Sequence, residues 1–304
     1  MDALSHALIA YILFSAPLFS SLIPFAILGA VIPDADILFS RISDSHPSLY
    51  LFTHGGITHS IPGAVVLSLL TYSALLLLDI FGGIPEGVLA GAGASGFIAI
   101  LAGALLHLAI DLPAMPGIPL IAPFSDHKYT LGILPGPSLL LAVAAAGVAV
   151  ATLLRFASFA SALTLYAGIV IAYFGVRTAV FLYADVRLKG RKVPKINPLE
   201  WLVIRKDEDC YLVSTYSLLK GNRPETVFPR YRETAFSEVD SSTQHSEVRR
   251  FLFHSYSVSA ERIGSVLILT DPVREKGYVW YPPKFKRVAI PARAGQPENG
   301  TSVR

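Results

Sequence analysis

Four long apolar runs, at 61–78, 88–110, 138–154 and 158–184, set the first limit on what this chain can become. Crossing the hydrocarbon of a bilayer takes roughly 20 apolar residues as helix. The run VLAGAGASGFIAILAGALLHLAI, 88–110, meets that length without one Asp, Glu, Lys or Arg, and IPGAVVLSLLTYSALLLL, 61–78, just reaches it. Small residues crowd 90–104, which lets helices approach closely inside a bundle. Only 15% of the 304 residues are charged and the mean hydropathy is +0.54, against about a quarter charged in soluble domains. A membrane protein is the expectation.

The N-terminal stretch 7–32 is interrupted by SAPLFSSLIP, with Pro17 and Pro24. Two half-length helices forming a re-entrant hairpin fit it at least as well as one span, since irregular backbone at membrane depth is tolerated when buried in protein. No basic n-region or small-residue cleavage site marks a removable signal peptide. The single cysteine, Cys210, rules out an intrachain disulfide framework.

Charge divides the chain in two. Residues 1–186 hold four Lys/Arg and nine Asp/Glu, while 187–304 hold 21 and 13. The predicted fold is mainly α: a multi-span transmembrane bundle over 1–186, then a small α+β soluble domain over 195–290 and a disordered tail over 291–304. EWLVIRK and CYLVSTYSLL flank Asp207-Glu208-Asp209 and read as a β-hairpin. SVLILTD and GYVWYPP read as a second pair, with an amphipathic helix near 244–254 between the two hairpins. The cluster Arg187, Lys189, Arg191, Lys192 follows the last span, which predicts a cytoplasmic C-terminal domain. Counting back, loops 33–60 and 111–137 fall on that same face.

The polar residues of the apolar half gather there. Six of eight histidines lie in the first 127 residues: His6, His46, His54, His59, His107 and His127. With them stand Asp34 and Asp36 in IPDAD and Asp111 in HLAID. His107 and Asp111 are one helical turn apart on one face, so both can ligate a metal, or the carboxylate can orient the imidazole. HGGIT can fold back and bring His54 and His59 to one point. Asp34 and Asp36, read as an extended segment, both face one cleft. Each residue alone has a plainer reading: an interfacial histidine for His46, a turn or cap for a lone aspartate. The ordered set H6, PDAD, HGGITHS, HLAID favours a metal site.

Nitrogen and oxygen ligands without cysteine suit a divalent metal, zinc first, with manganese or iron open, and the ligand count admits one or two ions. His6, His54, His59, His107 and Asp111 are the candidate ligands. Asp34 or Asp36 completes the shell or acts as base, and HExxH is absent, so a glutamate-base protease is not expected. In IAPFSDHKYTLG, Asp126, His127 and Lys128 form a second polar group, Lys128 being either a contact for an anionic substrate or a positive-inside anchor. Arg41 reads as an anchor.

MDALSHAL, IPDAD, THGGITHSIPG and HLAIDLPAMPGIPLIAPFSDHKY together resemble a family of membrane-bound, metal-dependent hydrolases that includes the LexA-regulated inner-membrane proteins of the YdjM type. INPLEWLVIRKDEDCYLVSTYSLLKG also resembles the C-terminal domain of its YfhP-like branch. The resemblance implies a helical membrane domain, a divalent-metal site and hydrolase activity, with His6, Asp34, Asp36, His54, His59, His107 and Asp111 on the motif positions. Family members commonly carry arginine after the first histidine of His-x4-His, where this chain has Gly55. The motif order is also similar to that of zinc-dependent phospholipases C, an analogy pointing toward lipid phosphoesters. The expected function is therefore metal-assisted hydrolysis of a lipid-derived ester or phosphoester in the inner membrane, with lipid as environment and substrate. The alternatives are a metal-ion or solute transporter and a scaffold with a structural metal. No nucleic-acid motif accompanies the basic half, and the sequence leaves the oligomeric state open.

Overall fold

The computed structural model describes residues 1–85, 87–136, 138–279 and 284–292. Helix α1 (Ala3–Phe14) starts where the Asp2 carboxylate accepts the Ser5 amide at 2.9 Å, satisfying one of the donors that a helix start leaves open. It stops before Pro17, and a 3-10 segment, Pro17–Leu22, leads into α2 (Ile23–Val31), which packs against α1. The interruption thus separates α1 from α2, which runs on through the next segments as one continuous apolar stretch, Phe19–Ser45. A second 3-10 segment, Ile32–Phe39, carries both aspartates of IPDAD into α3 (Ser40–Ser45). The extended geometry expected there is not found. Pro33 occupies the first turn, where its fixed φ suits a helix and its missing N–H costs nothing.

Helix α4 (Ile61–Ile80) is capped by Ser60, whose hydroxyl accepts the Gly63 amide at 3.0 Å. Helix α5 (Val88–Asp111) is broken at Gly93, where φ is +48°. Helices α6 (Leu139–Leu153) and α7 (Phe159–Arg187) have serine caps of their own and pack together across a short connection at Arg155. Among the described residues, four helical segments are long and apolar enough to cross a membrane: Phe19–Ser45, Ile61–Ile80, Gly91–Asp111 and Phe159–Arg187. Phe19–Ser45 belongs to this set, and the expected span at 138–154 does not. With 15 residues, α6 is about 22 Å long against a hydrocarbon core of about 30 Å.

The tightest seam is between α2 and α5. A Cβ added to Gly103 would sit 2.0 Å from the Ala26 carbonyl oxygen, and one added to Gly29 would sit 1.9 Å from that of Ile100. The backbones touch because neither position has a side chain.

Past α7 the chain forms an antiparallel sheet of β1 (Arg191–Pro194), β2 (Glu200–Lys206), β3 (Cys210–Ser217), β4 (Gly221–Asn222) and β5 (Thr226–Pro229), with β3 bonded to β2, β4 and β5. The predicted hairpin is β2–β3. A second sheet orders β6 (Tyr231–Arg232), β7 (Ser259–Ile263), β8 (Val266–Thr270) and β9 (Arg287–Pro291). SVLILTD therefore pairs with β7 and β9 and not with GYVWYPP, of which residues 280–283 lie outside the described set. Helices α8 (Phe236–Ser242), α9 (Ser246–His254) and α10 (Pro272–Glu275) complete this half, α9 being the expected amphipathic helix. The predicted tail falls outside the described residues from 293 onward.

The strand half sits on the loops of the helical half. Met115, from the loop after α5, packs into one core with Val193, Leu202 and Tyr256. Arg250 on α9 donates to the Ser43 carbonyl at 2.8 Å, and Lys284 pairs with Asp44. Loops 33–60 and 111–137 and the C-terminal half therefore share one end of the bundle.

Candidate metal centre

The seam between α2 and α5 places the first ligand. One turn beyond Gly103, His107 reaches back to α2, where its Nδ1 lies 2.7 Å from the Ala30 carbonyl. That contact puts the proton on Nδ1 and leaves the Nε2 lone pair directed inward. His59 ends the 3-10 turn Ile57–His59, with Nδ1 at 3.1 Å from Asp36 Oδ2 and 3.0 Å from the Thr58 hydroxyl. Its Nε2 too is left as an acceptor. The two Nε2 atoms face each other at 3.1 Å, and both residues are sealed from solvent. Two lone pairs at that separation repel unless a proton or a cation joins them.

Two carboxylates close the ring. Asp34 Oδ1 lies 3.5 Å from His59 Nε2 and 3.6 Å from His107 Nε2. Asp111 Oδ2 lies 3.6 Å and 3.4 Å from the same atoms. Zinc bonds of about 2.0–2.2 Å to tetrahedral donors imply donor–donor edges of about 3.3–3.6 Å. Of the six edges of such a tetrahedron, four fit that band or touch its limit and the His–His edge falls slightly short, while Asp34 and Asp111 belong to different close sets of donors. Among the described residues, Asp34 Oδ1 has no hydrogen-bond partner, and neither nitrogen of the buried His6 has one. His6 stacks on His107 with ring centroids 3.7 Å apart, and its Nε2 is 3.4 Å from Asp111 Oδ1, which the Met1 ammonium also contacts. Orphaned buried donors and acceptors around two carboxylates are what a divalent cation satisfies.

Burial opposes a charge on His59, but its contacts with Asp34 and Asp36 outweigh that and raise it to about 9. Without a cation, a proton takes the place between the rings.

Among the described residues, three sets of donors lie close enough to hold an ion: His6, His107 and Asp111; Asp34, His59 and His107; and Asp36, His54 and His59. They are not three independent sites. His107 has one free nitrogen to share between the first two. Holding an ion in the third as well as the second would require His59 to give up both ring protons. Asp36 instead gathers the His54 Nδ1 at 2.8 Å, the Gly55 amide at 3.1 Å, the Thr58 hydroxyl at 2.5 Å and His59 Nδ1. The two aspartates of IPDAD therefore bracket His59 from opposite nitrogens.

The remaining predicted residues lie elsewhere. His54 stands beside Asp36 with its side chain 36% exposed, turned to a cavity of about 220 Å³ that also touches His59 and Asp111. Asp126 accepts the Tyr50 hydroxyl at 2.8 Å, and His127 packs edge-on against Tyr129; both are exposed, outside the ring of donors. Lys128 lines the cavity and rests 3.8 Å over the Phe253 ring. His46 and Arg41 are exposed at α3. Sequence reasoning missed Thr58, which ties Asp36 to His59; its only signal was a hydroxyl inside the His-x4-His loop. It also missed His254, Lys284 and Phe285, which wall the cavity from the strand half. No local pattern marks those three, because a distant segment brings them there.

A multi-span helical membrane protein with a buried histidine–aspartate cluster beneath an extramembrane domain is the class these features define. The family model of the YdjM inner membrane protein matches residues 1–183, and the chain belongs to that family. No curated protein and no solved structure matches the chain.

Proposed function

We propose that the chain is a membrane-embedded, metal-dependent hydrolase acting on a lipid-derived ester or phosphoester. The observation that carries this reading is the pair of inward Nε2 atoms at 3.1 Å, flanked by Asp34 and Asp111, with His59 and Asp111 also on the wall of a cavity. His59, His107, Asp34 and Asp111 would hold the ion, zinc being the first candidate, with His6 a further donor beside Asp111. A bound divalent cation supplies Lewis acidity and lowers the pKa of a coordinated water toward neutrality. The chain's own part is orientation. Asp36 and the Ala30 carbonyl fix the tautomers of His59 and His107, and burial excludes bulk water. With its oxygens taken by four donors, Asp36 is a positioning residue. His54 presents its outer nitrogen to the cavity, where it can take or give a proton. The basic cluster Arg187 to Lys192 supports a cytoplasmic C-terminal half.

The test is elemental metal content of detergent-purified protein, wild type beside His59→Ala/His107→Ala. Near one metal per chain should fall to background in a variant that still elutes as wild type. Asp36→Asn, which leaves every ligand in place, should weaken metal affinity about 10–100-fold. A wild type that holds no metal after incubation with zinc and manganese, or a metal-loaded protein that cleaves no ester across a phosphoester panel, would sink the reading.

A further inference from the structure

The cavity above the metal centre is built by both halves of the chain. On one side it meets His54, His59 and Asp111. On the other it meets Lys128 together with His254, Lys284 and Phe285. His254 ends α9, 5% exposed, its ring stacked on Phe285 at a centroid distance of 4.0 Å with 3° between planes. Its Nε2 is buried and has no hydrogen-bond partner among the described residues. No carboxylate forms an ion pair with Lys128 among the described residues, its contact being the face of Phe253. At the exposed rim Lys284 pairs with Asp44.

Such an arrangement lacks an anion. Burial, together with the nearby cations Arg274 and Arg191, pushes the Lys128 ammonium down to about 7 against the weaker pull of Asp126. Burial and the cations Lys128, Arg274 and Arg250 likewise hold His254 well below the ordinary histidine value. Placing a partnerless lysine and an unpaired imidazole nitrogen in one small cavity is unfavourable unless a ligand completes them. The same space holds apolar Ala114, Met115 and Ile118, which suit the organic part of an ester.

From this juxtaposition we infer that Lys128 and His254, with Lys284 at the rim, form a subsite for the phosphoryl group of the substrate, so that the C-terminal half selects what reaches the metal centre. The inference rests on the hydrolase reading for the word substrate; the anion site itself does not need it. A carboxylate ester without a second anionic group would leave the subsite empty, so a phosphate ester is the class it selects.

Calorimetric titration of the full-length, zinc-incubated protein in detergent tests this, with inorganic phosphate and with water-soluble dihexanoyl phosphatidic acid as probes. Wild type should bind, and Lys128→Met/His254→Ala should bind at least tenfold more weakly with metal content unchanged. Lys128→Arg should recover most of the loss. Should the double variant fail to fold, Lys284→Met at the exposed rim should still weaken binding severalfold. Tighter binding of the phosphatidic acid than of phosphate identifies a lipid headgroup as ligand, while equal binding identifies free phosphate or a soluble ester; either supports the subsite. Wild type that binds neither probe, or variants that bind as wild type does, overturns it. Protein that takes up no metal yet binds phosphate through Lys128 and His254 would retain the subsite and remove the hydrolase reading instead.

Discussion

In the helical half, Leu77, Ile80 and Phe81 stand outward at 55%, 75% and 83% exposure, while Ser5, His6, Ser60, Ser68 and His107 are sealed inside. In the strand half the order is reversed: Leu202, Val213, Leu267 and Leu269 are sealed, and the Arg205–Glu225 pair lies outside. Lipid gives an apolar side chain no reason to leave it, so the hydrophobic effect sorts the second half and cannot sort the first. What holds the helices is close backbone approach and the mutual satisfaction of polar groups. The interior of the membrane half therefore combines the polar cluster with small apolar ones, such as Phe25 with Leu89 and Ile100.

That contrast can be broken at its strongest point. Gly103→Val drives a side chain into the Ala26 carbonyl, where only separation of α2 from α5 can make room. Little or no folded protein should be recovered by size exclusion, a larger effect than any single core truncation in the strand half. Next comes a matched pair of leucines. Leu267→Ala, in the sealed strand core, should cost about 2–5 kcal/mol, whereas Leu77→Ala on the lipid side should stay within about 0.5 kcal/mol. Thermal unfolding in detergent compares them, and equal losses would mean that the two halves are sorted by the same force. The smallest effect sharpens the boundary between them. Lys128 is charged below its value of about 7 and neutral above it. Affinity for sulfate, which has no proton to lose in that range, should then decline as pH rises through about 7. Arg274, Arg191, Asp126, His254, Lys284, His54 and His59 surround it, so the control is Lys128→Arg, whose charge persists and whose decline should be shallower.

Much of this was legible in the sequence because the signals were local. The β2–β3 hairpin, the amphipathic α9 and the turn between His107 and Asp111 are each set by a few neighbouring residues. The 3-10 path of IPDAD was misread because alternation of two aspartates says nothing about backbone when a proline precedes them. The bounds of α6 were legible to within a residue at each end, and what sets it apart from the longer helices is its 15-residue length. The partition of roles between Asp34 and Asp36 was invisible, since it depends on which nitrogen of His59 each one meets. The cavity wall at His254 and Phe285 lies beyond any local reading, more than a hundred residues from Lys128.

The contact between His107 and the Ala30 carbonyl has a consequence for inheritance. That oxygen belongs to the last turn of α2, among the carbonyls that a helix cannot pair for itself. An acceptor carried by the main chain is present whatever residue is encoded there, so no point mutation at position 30 can delete it. Variation can reach the tautomer of His107 only by sliding one helix along another. The glycines at 29 and 103 are thus the genetic handle on a proton that neither of them touches.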